Sequence, residues 1–418
     1  MSIGYACLAI GVPDTKIKSC VIKNASCENL LNLISHNLNA LENIIEYNIK
    51  NDIKLFRISS DIIPFASSPA NKLNWQTIFE NRFAEIGNKI RESGIRVSMH
   101  PGQYTVLNSP DPNTVKRAVD DLYYHAEVLD SLRVNPQNKI ILHIGGIYGN
   151  KKLATERFLK QFNLLDETVK QRIAIENDDK CYNIEDVLQI GNILNIPVIF
   201  DNLHHAVNPS GRVESDPHWI SLCNSTWKLK DGRQKIHYSQ QDPLKKSGSH
   251  SRSIEISKFL SYYNSHNSKD TDIMLEVKDK NCSAVKCINC LAADRRISRL
   301  EHEWSRYKYL VLEKSHPDYN KVRLLLKDKE SYPALAFYSI IESAINKDSS
   351  RGDAVNAAMH VWGYFKEKAT EREKALFLAK TDAFLMDKIP LANIKNNLWR
   401  LAVKYDEPYL LESYYFAY

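Results

Sequence analysis

No apolar run in this chain reaches the ~18 residues that a bilayer-spanning helix needs, so a membrane protein is not expected. The N-terminal stretch MSIGYACLAIG has no basic n-region and runs on as a strand. A secretory signal peptide is therefore not expected, and the cytoplasm is the expected compartment. The eight cysteines are too irregularly spaced for a secreted disulfide framework. Cys282, Cys287 and Cys290 form C-x4-C-x2-C. No fourth ligand is obvious, however, and AVKCINCLA reads as a helix, in which cysteine packs as a small hydrophobe. Internal repeats and low-complexity segments are missing apart from a β–α alternation. Charge bias is weak: 56 Lys and Arg against 50 Asp and Glu leave +6, compatible with a polyanionic partner without demanding one. What remains is a chain of 418 residues, 43% apolar and 25% charged, long enough for one large domain and a smaller one.

The most informative stretch is IPVIFDNLHH, residues 196–205. Its apolar run, started by proline, reads as a buried parallel strand that ends in Asp201, Asn202, Leu203, His204 and His205. Asp201 and His204, three apart, can reach one metal ion from the strand end and the turn after it. The same ending recurs elsewhere. IRVSMH closes on His100, KIILHIGG on His143, RIAIEND on Glu176, QKIHYS on His237 and DIMLEVKDK on Glu276. Buried strands seldom carry His and Glu without a reason.

In chain order, residues 1–9 and IKLFRISSD supply two strands, separated by a helix with the stripe Leu30, Leu31, Ile34, Leu38, Leu41 and Ile45. Helices are expected over residues 75–90 and 115–129, over roughly 153–170, and after Asn183, a plausible N-cap. A short seventh strand near 234–238, a helix from about 252 and a strand at 273–277 complete eight β–α alternations. The expected fold is α/β, a (β/α)8 TIM barrel, in which every strand's C-terminal end opens onto one face. Beyond residue 300 the alternation stops. Residues 301–329 are heavily charged without a clear period, and helices follow over 335–345, 354–368, 371–386 and 394–405. The expected division is a barrel over 1–300 and an all-helical accessory domain over 301–418.

At the barrel mouth the candidate ligands are His100, His143, Glu176, Asp201, His204, His237, His250 and Glu276. Mixed imidazole and carboxylate donors suit Zn2+, Mn2+ or Fe2+ better than Mg2+ or Ca2+. Eight ligands suit two or three ions, an arrangement that can activate water and stabilise a departing alkoxide in phosphodiester hydrolysis. Three carboxylates leave such a site short of negative charge. Lys235, two residues before His237, shares its face on a strand. Either it points elsewhere in a distorted strand or it is modified to a metal-bridging carbamate, and charge alone favours the first. His250 sits in the Ser-rich loop KKSGSHSRS, where an exposed histidine is the simpler reading; His205 and His218 stay unassigned. In the loop 101–113, Gln103 and Tyr104 are either ordinary turn residues or a pair able to enter a base stack.

These residues carry a likeness. RISSDIIPFAS (57–67), HPGQYTVLNSP (100–110), HIGG-x-YGNK (143–151), IENDD (175–179), DNLHH (201–205), KIHYS (235–239), HS (250–251) and LEVKDK (275–280) resemble the UV damage endonucleases, the UvdE family. The resemblance spans roughly residues 1–290. It implies a barrel nuclease that nicks double-stranded DNA on the 5′ side of UV photoproducts at a trinuclear centre, with Mn2+ expected and Zn2+ or Mg2+ as alternatives. It assigns all eight ligands named above, makes Lys235 the modified lysine, and gives catalytic roles to Glu176, His143, Lys235 and His237. Gln103 and Tyr104 become the damage-probing pair and Tyr5 a lesion-side residue, although ACLAIG lacks the asparagine expected after that tyrosine. The C-terminal stretches around 359–374, 387–394 and 405–415 resemble a helical family of unknown function. There Lys366, Lys368 and Lys374 are either DNA contacts or a solvated face. A monomer is expected. The rival readings are an abasic-site endonuclease, a metal-dependent sugar isomerase or epimerase on the same barrel, and a DNA-binding module with a decayed site.

Overall fold

A computed structural model describes residues 1–265 and 270–417; Tyr418, the last residue of the expected C-terminal domain, lies outside them. Eight parallel strands alternate with helices: β1 Ile3–Ala6, β2 Leu55–Arg57, β3 Arg96–Ser98, β4 Ile140–His143, β5 Ile173–Glu176, β6 Val198–Ile199, β7 Lys235–Tyr238 and β8 Asp272–Leu275. One run of pairing follows β3-β2-β1-β8-β7 and another follows β4-β5-β6. Single bridges, Met99 to Ile140 and Asp201 to His237, join the two runs and close the circle. The expected (β/α)8 barrel is the fold, and helices alone make up the C-terminal region.

Local chemistry explains the elements. The 24-residue helix Cys27–Lys50 starts where the Ser26 hydroxyl accepts the Asn29 N–H at 3.2 Å, and it buries Leu30, Ile34, Leu38, Leu41 and Ile45. Asn183 caps Ile184–Leu194 as expected, reciprocated by Asp186. Gly4 is required where β1 meets β2: a Cβ there would lie 1.8 Å from the Leu55 carbonyl oxygen.

Some boundaries differ from expectation. The segment 75–90 breaks at Phe79 into Trp75–Ile78 and Glu80–Glu92. The segment 153–170 breaks into Lys151–Asn163 and Glu167–Lys170, with Leu165 and Val169 turned inward. Residues 301–329 hold two helices, Ile297–Lys314 and His316–Leu325. Their period was masked because the buried face itself carries Glu303, Arg306 and Glu313. The helix expected to reach 368 stops at Trp362 and a turn follows.

The chain forms two compact units. One comprises Met1–Ala9, Asp14–Ile254 and Lys258–Val285; the other comprises Ile10–Pro13, Glu255–Ser257 and Lys286–Tyr418. The second has its own core, in which Trp362 stacks on Phe377 at 4.6 Å and Ile394, Leu398 and Leu410 are sealed from solvent. The buried helix Asn281–Leu291 carries Cys282, Cys287 and Cys290, and none of them joins a cluster able to hold an ion among the described residues. No described helix is long and apolar enough to cross a membrane.

Candidate metal centre

Strand register sets the height of each ligand. His143 pairs with Glu176 across β4 and β5, and Asp201 bridges His237. Glu276 follows β8, its N–H donating to the Tyr238 carbonyl at 2.9 Å. The side chains therefore meet at one level, at the C-terminal ends of the strands. β6 is only two residues long, and side-chain amides extend its pairing. Asn177 accepts the Asp201 N–H at 2.9 Å and donates to its carbonyl at 3.0 Å. Asn202 does the same with Ser239, at 2.8 and 3.0 Å. The Asn177 amide thus holds the Asp201 backbone in strand geometry, and the Asn202 amide does the same for Ser239 beyond β7.

Seven of the eight expected ligands fall into three groups whose donor atoms lie within 4.8 Å of one another: His100, His143 and Glu176; Glu176, Asp201 and His204; Glu176, His237 and Glu276. Glu176 belongs to all three. Its Oε1 is 2.7 Å from His237 Nδ1 and its Oε2 is 3.2 Å from His100 Nε2. His250 joins no group, and its Nε2 lies 3.9 Å from Glu276 Oε2. Asp201 Oδ1 accepts the His204 N–H at 2.8 Å, capping the short helix Asn202–Val207.

Electrostatics follow from this crowding. Burial pushes Glu176 upward, but the imidazoles of His237 and His100 outweigh it and hold the carboxyl well below the usual carboxylate range. Burial likewise raises Glu276, whereas Arg57, 2.5 Å away, and His237 bring it down. Burial moves His143 down to about 4. His204 goes the other way, to about 9, because Asp201, Glu176 and Glu276 overcome its burial. Asp201 is raised, chiefly by burial.

The donor set fits divalent ions. Asp201 Oδ2, His143 Nδ1 and His237 Nε2 are buried without a hydrogen-bond partner among the described residues. Orphaned polar atoms are rare in a protein interior, and here they belong to residues of the three donor groups. Imidazole and carboxylate together suit first-row divalent metals. An ion bound beside His204 would displace the proton that the carboxylates hold there.

Lys235 lies inside the barrel, wholly buried, and its Nζ has no hydrogen bond among the described residues. Burial and Arg96 push its ammonium far down and so favour the free amine. Gln103 and Tyr104 are exposed, Tyr104 by 67%. Tyr5 requires a correction. It is fully buried, its hydroxyl donates to Asn48 on the first long helix at 2.9 Å, and its ring packs edge-on against Phe56. The alternation of β1 sends this residue into the helix layer. His205 packs against Phe200 and Trp219, and His218 against Trp219.

Several residues of the mouth escaped the sequence reading. Arg57 ends β2 as Glu176 ends β5; its place at the end of the strand IKLFRISSD is legible, but its pairing with Glu276 is not. Asp216 is pushed up to about 6 by burial and by Asp201. Beneath the tip that bears Tyr104, Thr105 donates to Asp121 at 2.6 Å and Ser67 donates to the same carboxylate at 3.0 Å. His125 reaches Ser60 at 2.9 Å, and Ser60 donates to the carbonyl of His100 at 2.8 Å. Nothing in the sequence pattern separates Asp121 and His125 from ordinary helix residues.

Comparison with known proteins agrees with this geometry. Residues 2–308 match the family model described as UV-endonuclease UvdE. Residues 308–418 match a protein family of unknown function (DUF1722). The chain is 40% identical to the UV DNA damage endonuclease of Clostridium perfringens (strain 13 / Type A) over the full length of both. It is 33% identical to the enzyme of the same name in Bacillus cereus (strain B4264), over 65% of this chain and 86% of that one. The crystal structure of SacUVDE superposes with a TM-score of 0.66 at 40% identity, covering 70% of this chain and 98% of that one. With a barrel whose mouth gathers histidines and acids from six strand ends, and a match over residues 2–308, the chain belongs to the UV-endonuclease UvdE family.

Proposed function

We propose that this chain is a DNA repair endonuclease that hydrolyses the phosphodiester bond 5′ to UV photoproducts, both cyclobutane pyrimidine dimers and 6-4 photoproducts, in double-stranded DNA. The observation that carries this reading is the sharing of Glu176 by three donor groups in a chain of this family. His100, His143, Glu176, Asp201, His204, His237, His250 and Glu276 would hold two or three divalent ions, Mn2+ first among them. Such ions supply an activated water and charge stabilisation for the phosphate and its leaving oxygen.

The chain's own residues do the rest. Glu176, between His237 and His100, fixes the imidazoles around it and keeps them facing the cavity. Arg57 orients Glu276 and offsets its charge. Lys235, whose burial disfavours the ammonium, can as the free amine add to carbon dioxide: nitrogen bonds to carbon, one proton leaves, and a carbamate results. That product supplies the negative charge the site lacks. Gln103 and Tyr104, exposed on the loop after β3, would fill the space of an unstacked dinucleotide, whose distortion lowers the cost of opening the duplex. We assign the nuclease activity to residues 1–300, with residues 301–418 as an accessory domain, in a cytoplasmic monomer.

The test is nicking by the purified protein with Mn2+ on UV-irradiated, abasic and undamaged duplexes. Cleavage 5′ to photoproducts is expected. Cleavage of abasic DNA alone would reject the photoproduct reading in favour of an abasic-site endonuclease.

A further inference from the structure

The helical unit carries a second chemically distinctive place. Trp304 and Lys308 lie one turn apart on Ile297–Lys314, and Tyr319 and Arg323 one turn apart on His316–Leu325. Trp304 meets Tyr319 at 5.5 Å, and Arg323 sits over the Tyr319 ring at 5.6 Å. Lys308 lies 4.9 Å above Tyr309 and 5.8 Å above Tyr409, and Tyr409 stacks on Tyr364 at 5.6 Å with 12° between the planes. Tyr309 is buried beneath and bonded to the Tyr364 hydroxyl at 2.9 Å. The four other rings are half-buried at the surface, and Arg323 is exposed.

The charges are what set this face apart. Neighbouring cations of the unit have acids: Arg306 has Glu303, Lys321 and Lys347 share Asp318, Lys395 has Glu313 and Lys404 has Glu373. Among the described residues, Lys308 and Arg323 form no ion pair with any carboxylate. Burial lowers the Lys308 ammonium, and Arg323 lowers it further, with no acid acting in return. Tyr409 is pushed up to about 12 by burial and by Tyr364 and Tyr319. Two like charges held together on aromatic rings fit a partner that is anionic and has flat faces of its own. A nucleic-acid strand has both, and only unpaired bases expose the faces that rings can stack on.

We propose that the helical unit binds single-stranded DNA at this face, with bases on Tyr409, Tyr319 and Trp304 and phosphates on Lys308 and Arg323. Of the lysines singled out in the sequence, Lys368 already pairs with Glu407 at 3.2 Å.

The experiment measures binding of a labelled oligothymidylate to the full chain in chelator, where no nicking occurs, across a range of salt. Wild type should bind with a clear salt dependence. Lys308→Ala combined with Arg323→Ala should weaken binding roughly tenfold and flatten the slope of log affinity against log salt by about 1.4, at ~0.7 per lost phosphate contact. Tyr409→Leu should weaken it about 5- to 100-fold, while Tyr409→Phe, which keeps the ring, should retain it. Nicking of a short UV-irradiated duplex should be unchanged in all of them. Equal affinity and slope in the double variant would overturn the proposal. So would loss of binding in Tyr104→Ala with the double variant unaffected, since the strand would then lie at the barrel mouth. Equal competition by polyglutamate would point to an acidic peptide and overturn it as well.

Discussion

Charged residues are buried in both units, and they are treated in opposite ways. In the helical unit every buried carboxylate named above has its cation: Glu303 faces Arg306 at 3.4 Å, Glu313 takes Lys395 at 2.9 Å, and Asp318 takes Lys321 and Lys347. Burial would raise Asp318, but Lys347 and Lys321 hold it down at about 2. At the barrel mouth the buried groups converge, yet Asp201 Oδ2, His143 Nδ1, His237 Nε2 and Lys235 Nζ have no partner among the described residues. Burying such atoms unsatisfied costs about 1–3 kcal/mol each. A fold keeps that cost where the atoms serve an incoming ligand. At the mouth the unsatisfied atoms belong to residues of the donor groups, whereas Asn397 Oδ1 and the Tyr415 hydroxyl, unsatisfied in the helical unit, have no such group among the described residues.

The contrast is attacked most directly at Glu176. Glu176→Gln removes the one side chain common to all three donor groups. Groups that only orient metal ligands are typically worth 10–100-fold, so loss of a shared ligand should exceed about 100-fold in nicking rate. Metal content, measured by elemental analysis, should fall, while thermal unfolding shifts little because no apolar packing changes. A variant that keeps its metal and its activity would break the contrast.

The converse experiment belongs to the helical unit. Trp362→Ala deletes a ring stacked on Phe377 and should cost about 3–5 kcal/mol. Urea unfolding followed by circular dichroism should show it, with metal content per folded chain unchanged.

Tyr104→Ala comes next in size. The exposed ring supports nothing in the fold, so stability should stay constant. Preference for UV-irradiated over undamaged duplex should fall by an amount matching about 1–3 kcal/mol of base stacking. Equal loss on lesions of strong and weak distortion would remove the wedge role.

How far the sequence could be read follows the same division. Strand ends are punctuated by residue type, so His100, His143, Glu176, Asp201, His204, His237 and Glu276 were visible as a set, and the parallel barrel brings such ends together. Asn183 was visible as a cap because its hydrogen bonds are local. Tyr5 was misread because motif position carries no information about which face of β1 a residue uses; its hydroxyl meets Asn48, 43 residues away. The helices Ile297–Lys314 and His316–Leu325 were hidden because paired charges on their inner faces erase the apolar period. Arg57 and Asp121 act through partners distant in sequence, Glu276 and Thr105, and spacing along the chain cannot reveal such pairs.

The smallest effect tests whether satisfied burial can also serve the site. Thr105 is buried one residue beyond Tyr104, and its hydroxyl donates to Asp121, a carboxylate that also takes Ser67. Thr105→Val keeps shape and volume but leaves that carboxylate one donor short. Because Ser67 remains, the stability cost should sit near the low end of the range for a buried unsatisfied group, about 1 kcal/mol. If the bond only stabilises the fold, lesion preference will not move. If it holds the tip that Tyr104 crowns, the affinity ratio between UV-irradiated and undamaged duplex will fall severalfold while the nicking rate of bound substrate stays. Thr105→Ser, which restores the donor without the methyl group, should recover the ratio. Recovery of stability without recovery of the ratio would return Thr105 to the architectural side of the contrast.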